Sequence, residues 1–277
     1  MPGSPAQPAE DLRRRFHPSA FIRGSVALHL AAAGALLARP PLWPWALSAV
    51  AANHLALTAA GLWPRASLLG PNLTRLPPAA AARGEVALTI DDGPDPEVTP
   101  AVLALLDKHA ARVSFFGVGK CIAREPQLAR EIIARGHSVE NHSQRHLHRF
   151  SLLGPRALRA EIGAAQESIA FATGEAPRFF RAPAGLRNPF LEPELARAGL
   201  TLVSWTRRGF DTVSRDPTQV LRRLTRGLRG GDILLLHDGH AGRTADGTPV
   251  ILEVLPPLLA AVSAANLRLV TLRAACA

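Results

Sequence analysis

The chain has 277 residues, a formal net charge of +10, and is 47% hydrophobic and 19% charged. That length and apolar content exclude a disordered chain and leave room for one large domain or two small ones. The positive excess is almost all arginine, Lys108 and Lys120 being the only lysines, and it is scattered, without interleaved aromatics and without any tyrosine. This argues against nucleic acid as a partner. An arginine skew follows from coding composition, and where it serves a partner it suits an anionic lipid surface or an acidic polymer. Cys121 and Cys276 are too few for a disulfide framework or a thiolate zinc site.

Taken in chain order, a polar head (Met1 to Pro18, with Arg13, Arg14 and Arg15) precedes two apolar stretches, Gly24 to Ala38 and Leu42 to Trp63. The second is long enough to span a bilayer, carries no formal charge and has Trp43, Trp45 and Trp63 near its ends, where an aromatic belt belongs. The first is shorter, contains His29, and spans only if Arg23 and Arg39 reach the two surfaces. Residues 1–63 are therefore expected to form a membrane hairpin contacting lipid, ahead of a single span or a soluble helical extension. A cleaved signal peptide fits poorly, since no small-residue cleavage site precedes the second apolar stretch. The arginine-rich head favours an inside N-terminus at a bacterial inner membrane. A hairpin would return the rest of the chain to that side, whereas a single span would place it outside.

Residues 64–83, rich in proline and alanine, read as a linker, and residues 84–277 as the catalytic domain. Short apolar runs then alternate with longer periodic ones. Strands are expected at Val86 to Ile90, Arg112 to Val118, Ser138 to Glu140, Arg178 to Arg181, Thr201 to Trp205, Ile233 to Leu236 and Leu269 to Leu272. Helices are expected at Thr99 to His109, Gln127 to Arg135, Pro155 to Phe171, Pro189 to Ala198, Thr218 to Leu228 and Pro249 to Ala265. This alternation predicts an α/β fold with a parallel sheet. Chemistry at so many strand ends favours a (β/α) barrel, which gathers those ends round one mouth.

Asp91 and Asp92 end the first strand in VALTIDDGP, and His142 and His146 follow in NHSQRH. Two imidazoles and a carboxylate suit a divalent ion such as Zn²⁺. Neighbouring side chains on a strand end cannot both aim at one ion, so one Asp is free to accept a proton from water. The four-residue spacing of His142 and His146 would place both rings on one face of a helical turn, with Ser143 holding that turn. His137 and His148 lie nearby as decoys and read as solvated or capping histidines.

TIDDGP, HSQRH, FFRAPAG, the Trp205 to Asp211 segment and LLLHDG occur in the order and spacing of the polysaccharide deacetylases, and over residues 85–272 the chain resembles that family. The resemblance implies a distorted, incomplete (β/α) barrel and a metal-dependent N-deacetylase acting on N-acetylglucosamine-type glycans or a lipid-linked precursor. It implies Asp91 as general base and Asp92, His142 and His146 as metal ligands. It implies Arg181 as the arginine orienting the base, and the Ala184 backbone N–H as an oxyanion donor. His237 is implied as general acid with Asp211 tuning it, and Leu235 as lining for the acetyl pocket. Two positions depart from the family pattern: Ala184 stands where many relatives have an aromatic, and Thr212 where they have Trp. Trp205, though expected in the core, is the candidate to replace part of the missing surface, with Phe210. Arg187, Arg207 and Arg208 are candidates for contacting an anionic glycan or a lipid-linked precursor, with solvated surface arginines as the alternative. The rival readings are a carbon–nitrogen hydrolase of the same fold acting on a formyl group or a non-sugar amide, and a silent glycan-binding protein. The sequence carries no signal for oligomeric state.

Overall fold

The structure, a computed structural model, describes residues 15–277, so Met1 to Arg14 of the polar head, with Arg13 and Arg14, lie outside the described residues. Two helices open it, α1 (Ala20–Ala38) and α2 (Trp43–Leu62), joined by a single turn of 3-10 helix at Pro40–Leu42. Both are long and apolar enough to cross a membrane by length and composition. Neither is a buried core helix: Leu30 is 70% exposed, Leu37 87%, Trp45 76% and Leu55 72%. Between the helices Asn53 Nδ2 donates to Ser25 Oγ at 2.8 Å, and the Nε2 atoms of His29 and His54 lie 3.3 Å apart. Such polar pairs hold apolar helices together where hydrophobic contrast cannot.

The hairpin is seated on the rest of the chain at one end. Ser19, the N-cap of α1, donates from Oγ to the Leu68 carbonyl, and Gly61 near the end of α2 accepts from the Arg187 N–H at 3.1 Å. Gly61 sits so close to Arg187 that any Cβ would collide with the Arg187 carbonyl. Ser204 Oγ donates to the Pro64 carbonyl at 2.6 Å. Residues 64–83 continue along the domain: the Leu73 backbone bridges Val203, and Leu76 and Ala80 enter a buried cluster with Ala87, Phe116 and Ile233. This segment contains α3 (Pro78–Ala82).

Next come β1 (Glu85–Asp91), α4 (Thr99–Lys108), β2 (Ser114–Gly117), α5 (Gly119–Arg124), α6 (Pro126–Ala134) and β3 (Ser138–Asn141). They are followed by α7 (Pro155–Thr173), β4 (Phe179–Phe180), α8 (Leu191–Ala198), β5 (Thr201–Leu202), β6 (Arg207–Arg208) and α9 (Pro217–Thr225). The chain finishes with β7 (Ile233–His237), α10 (Val250–Ala264), β8 (Arg268–Leu269) and α11 (Leu272–Ala275). The sheet runs β5-β4-β3-β2-β1-β7-β6, with β8 added to β1, and every pairing is parallel. Its two edges, β5 and β6, are consecutive in the chain, so the sheet curls into a half-barrel. Segment 73–76 fills the seam: Ser204 N–H donates to the Leu73 carbonyl, and Thr206 Oγ1 to the Thr74 carbonyl.

Strand alternation divides β1 between two environments. Val86, Leu88 and Ile90 face the helix layer with Leu103, Leu106, Leu234, Leu236, Val254 and Leu258. Ala87, Thr89 and Asp91 point into the half-barrel. There Ala87 packs against Phe116, and the fully buried Arg181 fills the centre. All seven residues of β1 are buried, as a central parallel strand requires.

The expected elements recur with shifted ends, and three differ in kind. β6 joins the sheet through two arginines that no apolar run announces. The expected strand at Leu269 to Leu272 stops at Leu269, because Thr271 caps α11 by accepting from Ala274 N–H and Ser114 Oγ accepts from Leu272 N–H. His142 and His146 stand in a loop, not on a helical turn. Ser143 and His146 adopt left-handed backbone (φ 64° and 49°), and Ser143 Oγ accepts from His146 N–H at 3.1 Å. That reversal replaces helical periodicity in bringing the rings together.

Candidate active site

The register of the sheet builds the site. Asp91, last in β1, is paired in register with His237, last in β7, and with Phe116 of β2. Adjacent parallel strands thus present an acid and an imidazole in one row on one face. Both are buried, at 2% and 6% exposure.

Arg181, one residue past β4, is the basic partner of Asp91: its Nη1 lies 2.6 Å from Asp91 Oδ1 and donates also to Thr89 Oγ1 at 2.8 Å. Nε and Nη2 donate to the Val203 and Ser204 carbonyls, and the guanidinium covers the Phe116 ring at 4.1 Å. Every edge of the cation is used, which lets a full charge sit at 1% exposure. The other carboxylate oxygen, Oδ2, lies 3.8 Å from His142 Nε2.

Asp92 turns away from Asp91 by adopting φ 79°. Its Oδ1 is 3.2 Å from His142 Nε2 and 3.2 Å from His146 Nε2, yet it is buried without an aligned hydrogen-bond partner. The three ligand-capable atoms lie within 4.8 Å of one another. Bonds of about 2.0–2.1 Å to a tetrahedral ion put ligand atoms roughly 3.4 Å apart, so an orphaned oxygen at this spacing from two ring nitrogens fits a divalent metal. His142 Nδ1 donates to the Arg181 carbonyl at 2.8 Å, which leaves Nε2 as the lone-pair nitrogen. Burial, helped by His142, pushes His146 down to about 4, so its ring is neutral at pH 7 as a ligand must be. Burial opposes ionisation of Asp92, but the imidazoles of His142 and His240 prevail and hold its carboxyl well below the usual range.

Opposite this triangle, His237 Nδ1 lies 2.9 Å from Asp211 Oδ1, and the His237 N–H donates to Asp211 Oδ2 at 2.7 Å. One carboxylate thereby fixes both ring and backbone, leaving Nε2 as the unengaged ring nitrogen. Burial alone would lower the pKa of His237; the Asp211 carboxylate outweighs it, and the pKa lies above its ordinary value.

These groups line a cavity of about 370 Å³ together with Ala184, Trp205 and Leu235. Ala184 is exposed and left-handed, at φ 55°. Gly185 follows at φ 74°, where a Cβ would lie 2.6 Å from the Trp205 ring and 2.8 Å from Pro64. Asp92, His146, Ala184 and His240 are thus four non-glycine residues in left-handed backbone lining one cavity, a conformation costing about 1–3 kcal/mol each and concentrated at functional sites. Trp205 is both core and wall, at 8% exposure. The structure brings together Asp91, Asp92, His142, His146, Arg181, Asp211, His237, Ala184, Leu235 and Trp205. It does not bring the others: Phe210 lines a neighbouring groove, Arg207 pairs with Asp232, and Arg187 is buried against the Ala66 carbonyl.

It also adds some. Lys120 and His240 line the same cavity, as do Arg208 and Thr212, both noted in the sequence, and His148, set aside there as a decoy. His240 lies 3.8 Å from Asp92 Oδ2, and that carboxylate raises its pKa. Asp238 is fully buried beneath the site, accepts from Thr99 Oγ1 and Gly239 N–H, and is pushed by burial up to about 7. It stood in the quoted LLLHDG motif, so a signal for it existed; Lys120 carried none. His137, expected to be solvated or capping, is instead a core residue: it is 4% exposed, accepts from Val113 N–H and packs edge-on to Phe115.

Residues 79–203 match the family model described as polysaccharide deacetylase. A chitooligosaccharide deacetylase of Bradyrhizobium is 36% identical over 156 residues, covering 56% of this chain and 71% of the relative. This chain belongs to the polysaccharide deacetylase family. A peptidoglycan-N-acetylglucosamine deacetylase of Bacillus cereus is 31% identical over 175 residues, covering 62% of this chain and 81% of that one. The solved family 4 carbohydrate esterase of Streptomyces lividans, in complex with acetate, is 31% identical with a TM-score of 0.61, covering 67% of this chain and 91% of that one. Polysaccharide deacetylases are metal-dependent hydrolases of non-peptide carbon–nitrogen bonds, and in this member, among the described residues, Asp92, His142 and His146 form a group able to hold a metal. The half-barrel is the family fold, with the exposed Ala184 leaving one side of the cavity mouth low.

Proposed function

We propose that this protein is a zinc-dependent, membrane-anchored deacetylase that removes acetyl from N-acetylglucosamine-type residues. The observation that carries the reading is the in-row pairing of Asp91 and His237 beside the Asp92, His142 and His146 triangle. Each of the pair has its own buried partner, Arg181 for Asp91 and Asp211 for His237.

Asp92, His142 and His146 would hold a divalent ion, which would supply Lewis acidity to the acetamide carbonyl and to water. Asp91, positioned by Arg181, accepts the proton of the attacking water. The Ala184 N–H faces the carbonyl oxygen as it gains negative charge. His237, protonated through its partnership with Asp211, delivers a proton to the departing amine, which otherwise leaves poorly. Leu235 and Trp205 enclose the acetyl methyl.

The hairpin supports attachment to a membrane. Ser19 at the start of α1 and Gly61 near the end of α2 both contact the globular part, so the hairpin enters and leaves the bilayer on one face. With the arginine-rich head inside, the catalytic domain lies on the cytoplasmic side. The deciding experiment is acetate release from chitotetraose and from N-acetylglucosaminyl lipid diphosphate by zinc-loaded full-length protein. Release abolished in His237→Ala is the expected result; no acetate from either sugar refutes the reading.

A further inference from the structure

The active-site cavity opens sideways. Arg208 and Trp205 belong both to that cavity and to a second groove of about 500 Å³, whose other walls include Leu62, Trp63, Arg65 and Phe210. One groove wall is therefore the end of α2, and Trp63 is 62% exposed and Phe210 45%. Beyond Leu62 lies a larger apolar groove of about 680 Å³ between the hairpin and the loops carrying Leu152 and Phe190. Shared walls, Trp205 and Arg208 and then Leu62, set the catalytic cavity beside the flank of the apolar helices.

The charge at the junction is unspent. Strand alternation sends the two arginines of β6 opposite ways. Arg207 pairs with Asp232 at 2.7 Å. Arg208 has no carboxylate within 4 Å among the described residues. Its Nε is buried without a hydrogen-bond partner, and its guanidinium is held between the Trp205 ring at 5.3 Å and the Phe210 ring at 5.0 Å. Arg65, exposed on the same groove, makes one weak contact, to the Thr206 carbonyl at 3.4 Å. An oriented, unneutralised guanidinium with a second arginine nearby is a phosphate-binding arrangement.

We propose that the substrate is an N-acetylated amino sugar carried on a long-chain lipid phosphate. Its sugar enters the catalytic cavity, its phosphate or diphosphate lies on Arg208 and Arg65, and its chain runs between Trp63 and Phe210 along α2. The assignment rests on the deacetylase reading and names its substrate class. It explains why the hairpin end is locked to the cavity wall through Gly61, Pro64 and Gly185 and not tethered loosely. A free polymer would need no such junction. The exposed Ala184 leaves the cavity mouth low on a rim where polymer-binding relatives carry an aromatic.

The test uses full-length protein in detergent, with metal removed by chelator so that no ion binds the probe. Farnesyl phosphate is titrated against tryptophan fluorescence, with farnesol and inorganic phosphate as separate arms. Farnesyl phosphate is expected to bind at least tenfold more tightly than either fragment. Arg208→Ala is expected to weaken it tenfold or more, and the surface substitution Arg65→Ala about threefold. With zinc restored, kcat/KM for N-acetylglucosaminyl lipid diphosphate should exceed that for chitotetraose by tenfold or more. Failure to bind farnesyl phosphate, equal binding by both arginine variants, or equal kcat/KM on the two sugars overturns the proposal. Arginine-dependent binding without deacetylation of either sugar would refute the deacetylase reading and leave the lipid-phosphate site standing.

Discussion

Replacing Arg181 by Met should be among the most damaging single changes in this protein, for a reason the structure quantifies. The guanidinium is 1% exposed and meets Asp91 at 2.6 Å. Removing one member of a buried ion pair strands the other charge and costs about 3–5 kcal/mol. Total stability of a domain is commonly about 5–15 kcal/mol, so the loss is a large fraction of it. At roughly 2–4 °C per kcal/mol for a domain of this size, the midpoint of thermal unfolding should fall by about 6–20 °C. Adding Asp91→Asn to Arg181→Met removes the stranded charge and should restore about 2 kcal/mol or more. The assay is urea unfolding of wild type, both single variants and the double variant in detergent with chelator at pH 7.5, read as a double-mutant cycle. A single-variant cost below about 1 kcal/mol, or simple additivity in the cycle, would show that the pair is not the electrostatic unit described above.

Other consequences are more direct. His142→Ala should lose both bound zinc and acetate release, whereas Asp91→Asn should keep zinc, measured by elemental analysis, and lose about 10²–10⁴ in kcat. Asp211→Asn removes the charge that raises the pKa of His237; because the acid must be protonated to act, the alkaline limb of the kcat profile should move to lower pH. An unmoved limb would assign that limb to another group. His137 is buried and pushed down to about 4 from an ordinary 6.5, so the unfolded chain binds a proton that the folded one refuses between those values. Its contribution is present above pH 6.5 and is lost as pH falls towards 4, at most about 3 kcal/mol. His137→Asn, which keeps an acceptor for Val113 N–H, should show a shallower loss over that window in urea titrations; matching slopes would remove His137 as the cause.

Much of the site is legible in the chain because its residues sit at strand ends, where an apolar run stops and a polar residue follows. VALTIDDGP and LLLHDG are of this kind. Other parts are illegible for physical reasons. The two imidazoles meet because Ser143 and His146 reverse the backbone, which no periodicity encodes. β6 is two arginines long, and pattern reading looks for apolar runs. The LRLVTL segment alternates like a strand, but the cap made by Thr271 and the acceptor Ser114 Oγ turn it into a helix. Residues 64–83 have the composition of a linker. Their packing is seen only when Leu73 finds Val203 and Leu76 enters the interior cluster.

The sequence by itself determines the parallel α/β architecture, the strand-end Asp91–Asp92 pair and the His142 and His146 pair, and two apolar helices of membrane length, since each depends on local composition and order. Only the tertiary structure decides that β1 and β7 pair with Asp91 opposite His237, and that Arg181 occupies the barrel interior. It alone seats the hairpin end against the cavity wall, leaving Arg208 facing a groove without a carboxylate. Those outcomes depend on contacts between residues far apart in the chain, whose register and charge pairing exist only once the sheet has curled.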